Sequence, residues 1–183
     1  MTEPTPERVL ESRRRYEGRI VNLRVDTVEL PGGRRATREV VEHGEVVAIV
    51  PLLDDGSVFL VRQYRLPTEQ VMLEVPAGGV DDGETPEQAA QRELGEECGR
   101  RAGRLQRLGG FYVSPGFTNE FVHLFLATEL EPSPLRPEAD EQLAVVQLPL
   151  EEALRLVSVG EVCDAKSVIG LMWAAARSAR FHD

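Results

Sequence analysis

The chain has 183 residues, of which 42% are hydrophobic and 28% charged, the mix of a folded, well-cored domain and not of a disordered tail. Acidic residues outnumber basic ones 31 to 21, for a formal charge of −10, which argues against nucleic acid or an anionic membrane as the main partner. No apolar run approaches the roughly 18 residues of a membrane helix, and Met1-Thr2-Glu3-Pro4 lacks the apolar core of a signal peptide. Cys98 and Cys163 are too few for a disulfide framework or a thiolate cage and point to a reducing cytoplasm. His43, His123 and His182 lie far apart, without ligand-like spacing.

In chain order, residues 1–15 read as a loose or short helical arm. Ile20 to Leu30 and Thr37 to Val41 form an antiparallel strand pair around the Pro31-Gly32-Gly33 turn. An isolated hairpin is marginal, so this one calls for a further partner, such as a second copy of the chain. Val46 to Leu53 reads as a buried strand, Asp54-Asp55-Gly56 as a hairpin turn and Val58 to Arg65 as the returning strand. Met72 to Ala77 is a short strand entering the loop Gly78 to Glu84. Thr85, Pro86 and Gln88 then supply cap, first-turn proline and capping box of a helix that Gly99 closes. Leu105 to Tyr112, Phe121 to Leu130 and Leu143 to Leu148 read as strands, Glu151 to Val157 as a helix, and Ala165 to Arg177 as a last helix capped by Asp164. This order lacks strict βαβ alternation and predicts a mixed sheet between helices. Trp173, at helical spacing, reads as core.

The helix after Thr85 breaks the rules of local stability. Seven carboxylates and one base, Arg92, lie between Asp81 and Glu97. With about 100° per residue, Glu93, Glu96 and Glu97 share one arc. Their like charges repel by a few tenths of a kcal/mol per pair, at the end of the helix where the dipole disfavours anions. A divalent cation relieves this, and hard carboxylate oxygens suit magnesium or manganese together with substrate phosphates. A solvated acidic face is the plain alternative.

The full spacing goes further. Gly78, five residues, Glu84, seven residues, Arg92-Glu93-Leu94, one residue, Glu96-Glu97, one residue and Gly99 reproduce the Nudix box, a match expected by chance on the order of once in a million chains of this length. The sequence thus resembles the Nudix hydrolases. Two positions stand out: Arg100 where the box usually ends in an aliphatic residue, and Gly95 inside the helix, which costs about 1 kcal/mol relative to alanine. Both are read as affecting packing at the helix end.

Arg38 to Gly44, Val61 to Arg65, Leu73 to Gly78 and Ser114 to Glu120 look like the ADP-ribose pyrophosphatase branch, as does Pro115, sixteen residues past Gly99. The resemblance implies an α/β fold, a Nudix-type α/β/α sandwich with a mixed sheet and a small N-terminal antiparallel β region. Residues 1–44 would be an arm and hairpin for dimerisation, and residues 45–183 the catalytic domain. It implies hydrolysis of ADP-ribose to AMP and ribose 5-phosphate with two to three magnesium ions, manganese being the alternative. Glu93, Glu96, Glu97 and the Ala77 carbonyl would hold the ions. Glu84 and Arg92 would pair structurally, while Arg65, and Arg38 from a neighbouring subunit, would contact phosphate. Gly116 and Glu120 would approach the terminal ribose, and Glu141, or else Glu138, would act on the attacking water. UDP-glucose or another nucleoside diphosphate sugar remains an alternative substrate, and a non-catalytic ADP-ribose-binding regulator an alternative role. A homodimer, and neither nucleic acid nor membrane, completes the expectation.

Overall fold

The computed structural model describes residues 5–135 and 142–178. They fall into two compact units, the first made of residues up to Gly44 with Tyr112–Phe121, the second of Glu45–Phe111 with the chain from Val122 onward.

In the first unit, β1 (Arg8–Glu17), β2 (Val21–Glu29) and β3 (Arg35–His43) form an antiparallel sheet in the order β1-β2-β3. The segment expected to be a loose arm is therefore a strand, and the hairpin expected to lack a partner has one within its own chain. All ten residues of β1 are exposed, so no buried face imposes an alternation. Its register also shifts between Val9 and Glu11 and again between Arg14 and Tyr16. Pairing to β2, not side-chain pattern, makes it a strand. Asp26, buried in central β2, accepts from Ser12 Oγ at 2.6 Å and Arg24 Nε at 2.9 Å. The Ser12 bond, then the Arg24 charge, hold its carboxyl below the usual range against the opposing effect of burial.

The second unit holds two sheets. β4 (Val46–Pro51), β7 (Ala77–Gly79), β8 (Arg100–Tyr112) and β9 (Phe121–Pro132) run in the order β7-β4-β9-β8, with β4 antiparallel to β7 and parallel to β9. β5 (Ser57–Arg65), β6 (Gln70–Glu74) and β10 (Leu143–Pro149) form an antiparallel sheet, β10-β5-β6. The Asp54-Asp55-Gly56 turn exists, closed by Leu53 N–H to Ser57 O at 2.8 Å. The strands it joins do not form the expected hairpin: beyond the Leu52–Val58 bridge they part into different sheets.

Side chains of β4 and β5 alternate between two apolar clusters. Val47, Ile49, Phe59 and Val61 meet Ala89, Ala90, Leu94 and Cys98 of α1 (Pro86–Cys98). Ala48, Val50, Val58 and Leu60 meet Ala153 and Leu156 of α2 (Leu150–Ser158) and Leu171 and Ala174 of α3 (Ala165–Ser178). Strands buried on both faces give continuous apolar runs, and helices on either side make the α/β/α sandwich. Among the described residues no helix is long and apolar enough to cross a membrane.

α1 begins as its sequence dictates. Thr85 Oγ1 accepts the Gln88 N–H at 3.2 Å and Gln88 Oε1 accepts the Thr85 N–H at 2.8 Å, while Gly99 closes the helix at φ 60°. Gly95 has a packing reason: a Cβ there would lie 2.7 Å from Leu135 Cδ1. Arg100 lays its guanidinium over the Phe59 ring, 5.2 Å from the centroid. Trp173 departs from the core reading. It is 38% exposed and packs edge-on against Phe111, with the ring centroids 6.4 Å apart.

Candidate active site

The acidic half of α1 lies against the backbone of β7. Glu97, 4% exposed, accepts the Ala77 N–H through Oε2 at 3.1 Å. Glu93, 7% exposed, rests on Gly78 so closely that a Cβ there would fall 2.0 Å from its Oε1. Two nearly buried carboxylates thus gather at one strand end, beside the Ala77 peptide and within a space that only glycine leaves open.

Arg92 organises the rest. Its Nε and Nη2 donate to Glu84 at 3.1 and 3.0 Å, and Nη2 also to the Gly79 carbonyl at 2.9 Å. Its Nη1 donates to both Glu93 Oε1 at 2.7 Å and Glu96 Oε2 at 3.1 Å. Loop and helix are therefore fastened by one guanidinium with four carboxylates around it, Asp81 Oδ2 lying 3.7 Å from Nη2. The bond to Glu84, more than the helix carboxylates, raises the Arg92 pKa against the cost of burial. Glu84 in turn is held below the usual carboxylate range by Arg92.

Among the described residues no three Asp, Glu, His or Cys side chains converge as a closed metal cage. What the strand end offers is an open set of hard carboxylate oxygens, Glu93 and Glu97 with Glu96 tied in through Arg92. That fits magnesium or manganese, which keep several waters and take one or two carboxylates plus substrate phosphates, better than it fits a zinc site. The Cβ-free cradle at Gly78 brings the Glu93 carboxylate down to backbone level, and Glu93 with Glu97 would hold such an ion.

The remaining expected residues divide between the units. Arg65, at the end of β5, belongs with the acidic helix in the second unit and makes two bonds to Glu74, 2.9 Å from Nε and 2.8 Å from Nη2. Arg38, Gly116 and Glu120 belong to the first unit. Arg38 is paired with Glu7 through Nε at 3.0 Å and Nη2 at 2.5 Å. Gly116 is exposed in the loop after Tyr112, and Glu120, half-buried, accepts the Val113 N–H at its carbonyl at 3.2 Å. Glu138 and Glu141 lie outside the described residues.

Sequence reasoning missed Glu74, Lys166 and Ser167. Glu74 is fully buried and also accepts from Lys166. Ser167, fully buried, accepts the Val75 N–H at 2.8 Å. The available signal was an acid inside the apolar stretch Val71-Met72-Leu73-Glu74-Val75. Burial pushes Glu74 upward in pKa, but Arg65 and Lys166 outweigh it, leaving the carboxyl below its ordinary value.

His123 is structural. Arg107 Nη2 donates to its Nδ1 at 2.7 Å, and because a guanidinium only donates, Nδ1 accepts and Nε2–H faces Glu45 at 3.1 Å. Cys98 is not set up as a nucleophile. Burial, aided by Glu97, pushes the Cys98 thiol up to about 12, whereas Cys163 is exposed. Alkylation of the folded protein at mildly alkaline pH should therefore label Cys163 alone, and Cys98 only after unfolding. Mass spectrometry of the two states checks this, and rapid double labelling of folded protein would contradict the packing around Cys98.

A NUDIX domain family model matches residues 42–166, and a nucleoside diphosphate sugar hydrolase N-terminal domain model matches residues 7–41. The ADP-ribose pyrophosphatase of Bacillus subtilis (strain 168) is 41% identical over 166 residues, 90% of each chain. The methanol dehydrogenase activator of Bacillus methanolicus is 35% identical over 178 residues, 96% of each. A solved structure described as an ADP compounds hydrolase superposes with a TM-score of 0.90 at 26% identity, covering 99% of this chain and 98% of that one. The acidic helix and its glycine-lined strand end lie wholly inside the matched span, and on matches of this length and identity the chain belongs to the Nudix hydrolase family.

Proposed function

We propose that this hydrolase splits ADP-ribose into AMP and ribose 5-phosphate. The reading is carried by the paired Glu93 and Glu97 carboxylates laid on the Ala77–Gly78 backbone. The B. subtilis relative's name and that of the superposed ADP compounds hydrolase support the substrate. Magnesium, two to three ions with manganese as substitute, would be held by Glu93, Glu96, Glu97 and the Ala77 carbonyl. Bound there, it supplies positive charge for the diphosphate and makes a coordinated water more acidic.

The chain's own residues do the remainder. Arg92 keeps the loop and helix in register through Glu84. Arg65 offers its guanidinium to a phosphate, Gly116 and Glu120 approach the terminal ribose, and Glu141, or Glu138, accepts the proton of the attacking water. We read residues 1–44 as the dimerisation region and residues 45–183 as the catalytic domain. Support for a homodimer is that β1 is an edge strand exposing Val9, Leu10 and Tyr16; Arg38 would then serve the neighbouring subunit's site. The free Cys98 and Cys163 suit the cytoplasm.

The test incubates the purified protein with magnesium and ADP-ribose, UDP-glucose or GDP-mannose and follows products by chromatography. AMP formation with the highest kcat/KM for ADP-ribose is expected. A higher kcat/KM for another nucleotide sugar reassigns the substrate, and binding without turnover replaces the enzyme by a regulator.

A further inference from the structure

A further carboxylate, outside the acidic helix, is 1% exposed and paired with two cations. Glu74 ends β6, three residues before Ala77. Arg65 grips it with two parallel bonds, and Lys166, in the first turn of α3, donates both to it and, at 2.8 Å, to Asp164. Next to Lys166, Ser167 Oγ accepts the Val75 N–H. The segment leading into Ala77 is thus tied to α3 at two adjacent residues. Stability alone does not account for this choice, since well-packed apolar residues hold a strand to a helix as well as a buried ion pair does.

The geometry at Arg65 gives the choice a purpose. Nε and one Nη2 hydrogen go to Glu74, which is buried, while Arg65 itself keeps 39% of its side chain exposed. The opposite edge, Nη1 with the second Nη2 hydrogen, therefore faces outward as a donor fork matched to a phosphate. Glu97 adds to the attraction on Arg65, after the Glu74 bonds, which puts the guanidinium within electrostatic reach of the acidic helix.

We propose that Glu74 is a positioning residue for this reaction: it fixes the Arg65 guanidinium with its outer fork toward the substrate diphosphate, and Lys166 shares the Glu74 charge so that Arg65 is not neutralised by it. The inference rests on the reading of Arg65 as a phosphate contact.

Steady-state kinetics with ADP-ribose and magnesium test it, using Glu74→Gln alone and in an Arg65→Ala background, where Lys166 still pairs with Glu74. In the parent background KM should rise about tenfold, with kcat within about threefold. In the Arg65→Ala background Glu74→Gln should leave KM where it was. An equal shift in both backgrounds means that Glu74 does not act through Arg65 and overturns the proposal alone. An unchanged KM in Arg65→Ala by itself removes the phosphate role of Arg65, and the proposal with it. Should Glu74→Gln fail to fold, Lys166→Met keeps the Arg65–Glu74 pair intact. It should raise KM about threefold, and Lys166→Arg should restore the parent value. No rise, or no restoration, overturns the proposal.

Discussion

Glu97→Gln should lower kcat with ADP-ribose by about a thousandfold, equivalent to about 4 kcal/mol of transition-state stabilisation. Glutamine keeps an oxygen able to accept the Ala77 N–H, now at 3.1 Å, so the helix stays docked on the strand end and only the charge is lost. Removing that charge also ends a repulsion: Glu93 and Glu97 stand four residues apart in the last turns of α1, near the negative end of the helix dipole. Relief there is worth a few tenths of a kcal/mol. A dead enzyme with an equal or slightly higher Tm is thus the expected pair of results, from product chromatography and a circular-dichroism melt. Activity within about tenfold of the parent would remove Glu97 from the metal site.

The site was legible because its signals are local. Thr85, Pro86, Gln88 and Gly99 fix the ends of α1 within fifteen residues, and the acidic arc of Glu93, Glu96 and Glu97 follows from helical periodicity once those ends are known. Except for β7, whose Ala77–Gly79 fell across an expected strand end and loop, the strands of the second unit were legible from their apolar residues. Their partners were not, because β4 and β5 are buried on both faces and an apolar run carries no mark of which sheet it joins. The Asp54-Asp55-Gly56 turn correctly announced a reversal and said nothing of the parting that follows it.

Other features depended on distant contacts. β1 buries no residue, and its register breaks twice, so neither alternation nor composition marks it as a strand. The Glu74–Lys166 pair spans 92 residues of sequence, and Arg65 alone suggested a phosphate contact, not an arginine already anchored from behind. Trp173 shows the converse. Helical spacing placed it on an apolar face, but Gly109 of β8 leaves room for its ring at the surface, where a Cβ would meet Cζ3 at 2.7 Å.

Gly78→Ala should reduce kcat/KM by about a hundredfold or more while the protein still folds. The added methyl would stand 2.0 Å from Glu93 Oε1, 2.2 Å from Cδ and 2.5 Å from Oε2, all far inside van der Waals contact, so either the backbone of β7 or the carboxylate must move. The carboxylate is the softer of the two, being the end of a side chain, whereas β7 is paired to β4 at Ala77, Gly78 and Gly79. Glu93 would swing off the strand end toward Arg92, which already holds it at 2.7 Å, and would no longer be placed to hold an ion together with Glu97. A displacement of about 1 Å at such a centre costs on the order of a hundredfold in rate. Because the carboxylate is moved and not removed, the defect should be eased by raising the metal concentration, unlike that of Glu97→Gln. Titrating manganese against initial rate in the two variants separates them. Parent-like activity in Gly78→Ala at low metal would show that Glu93 does not need its place on the glycine backbone.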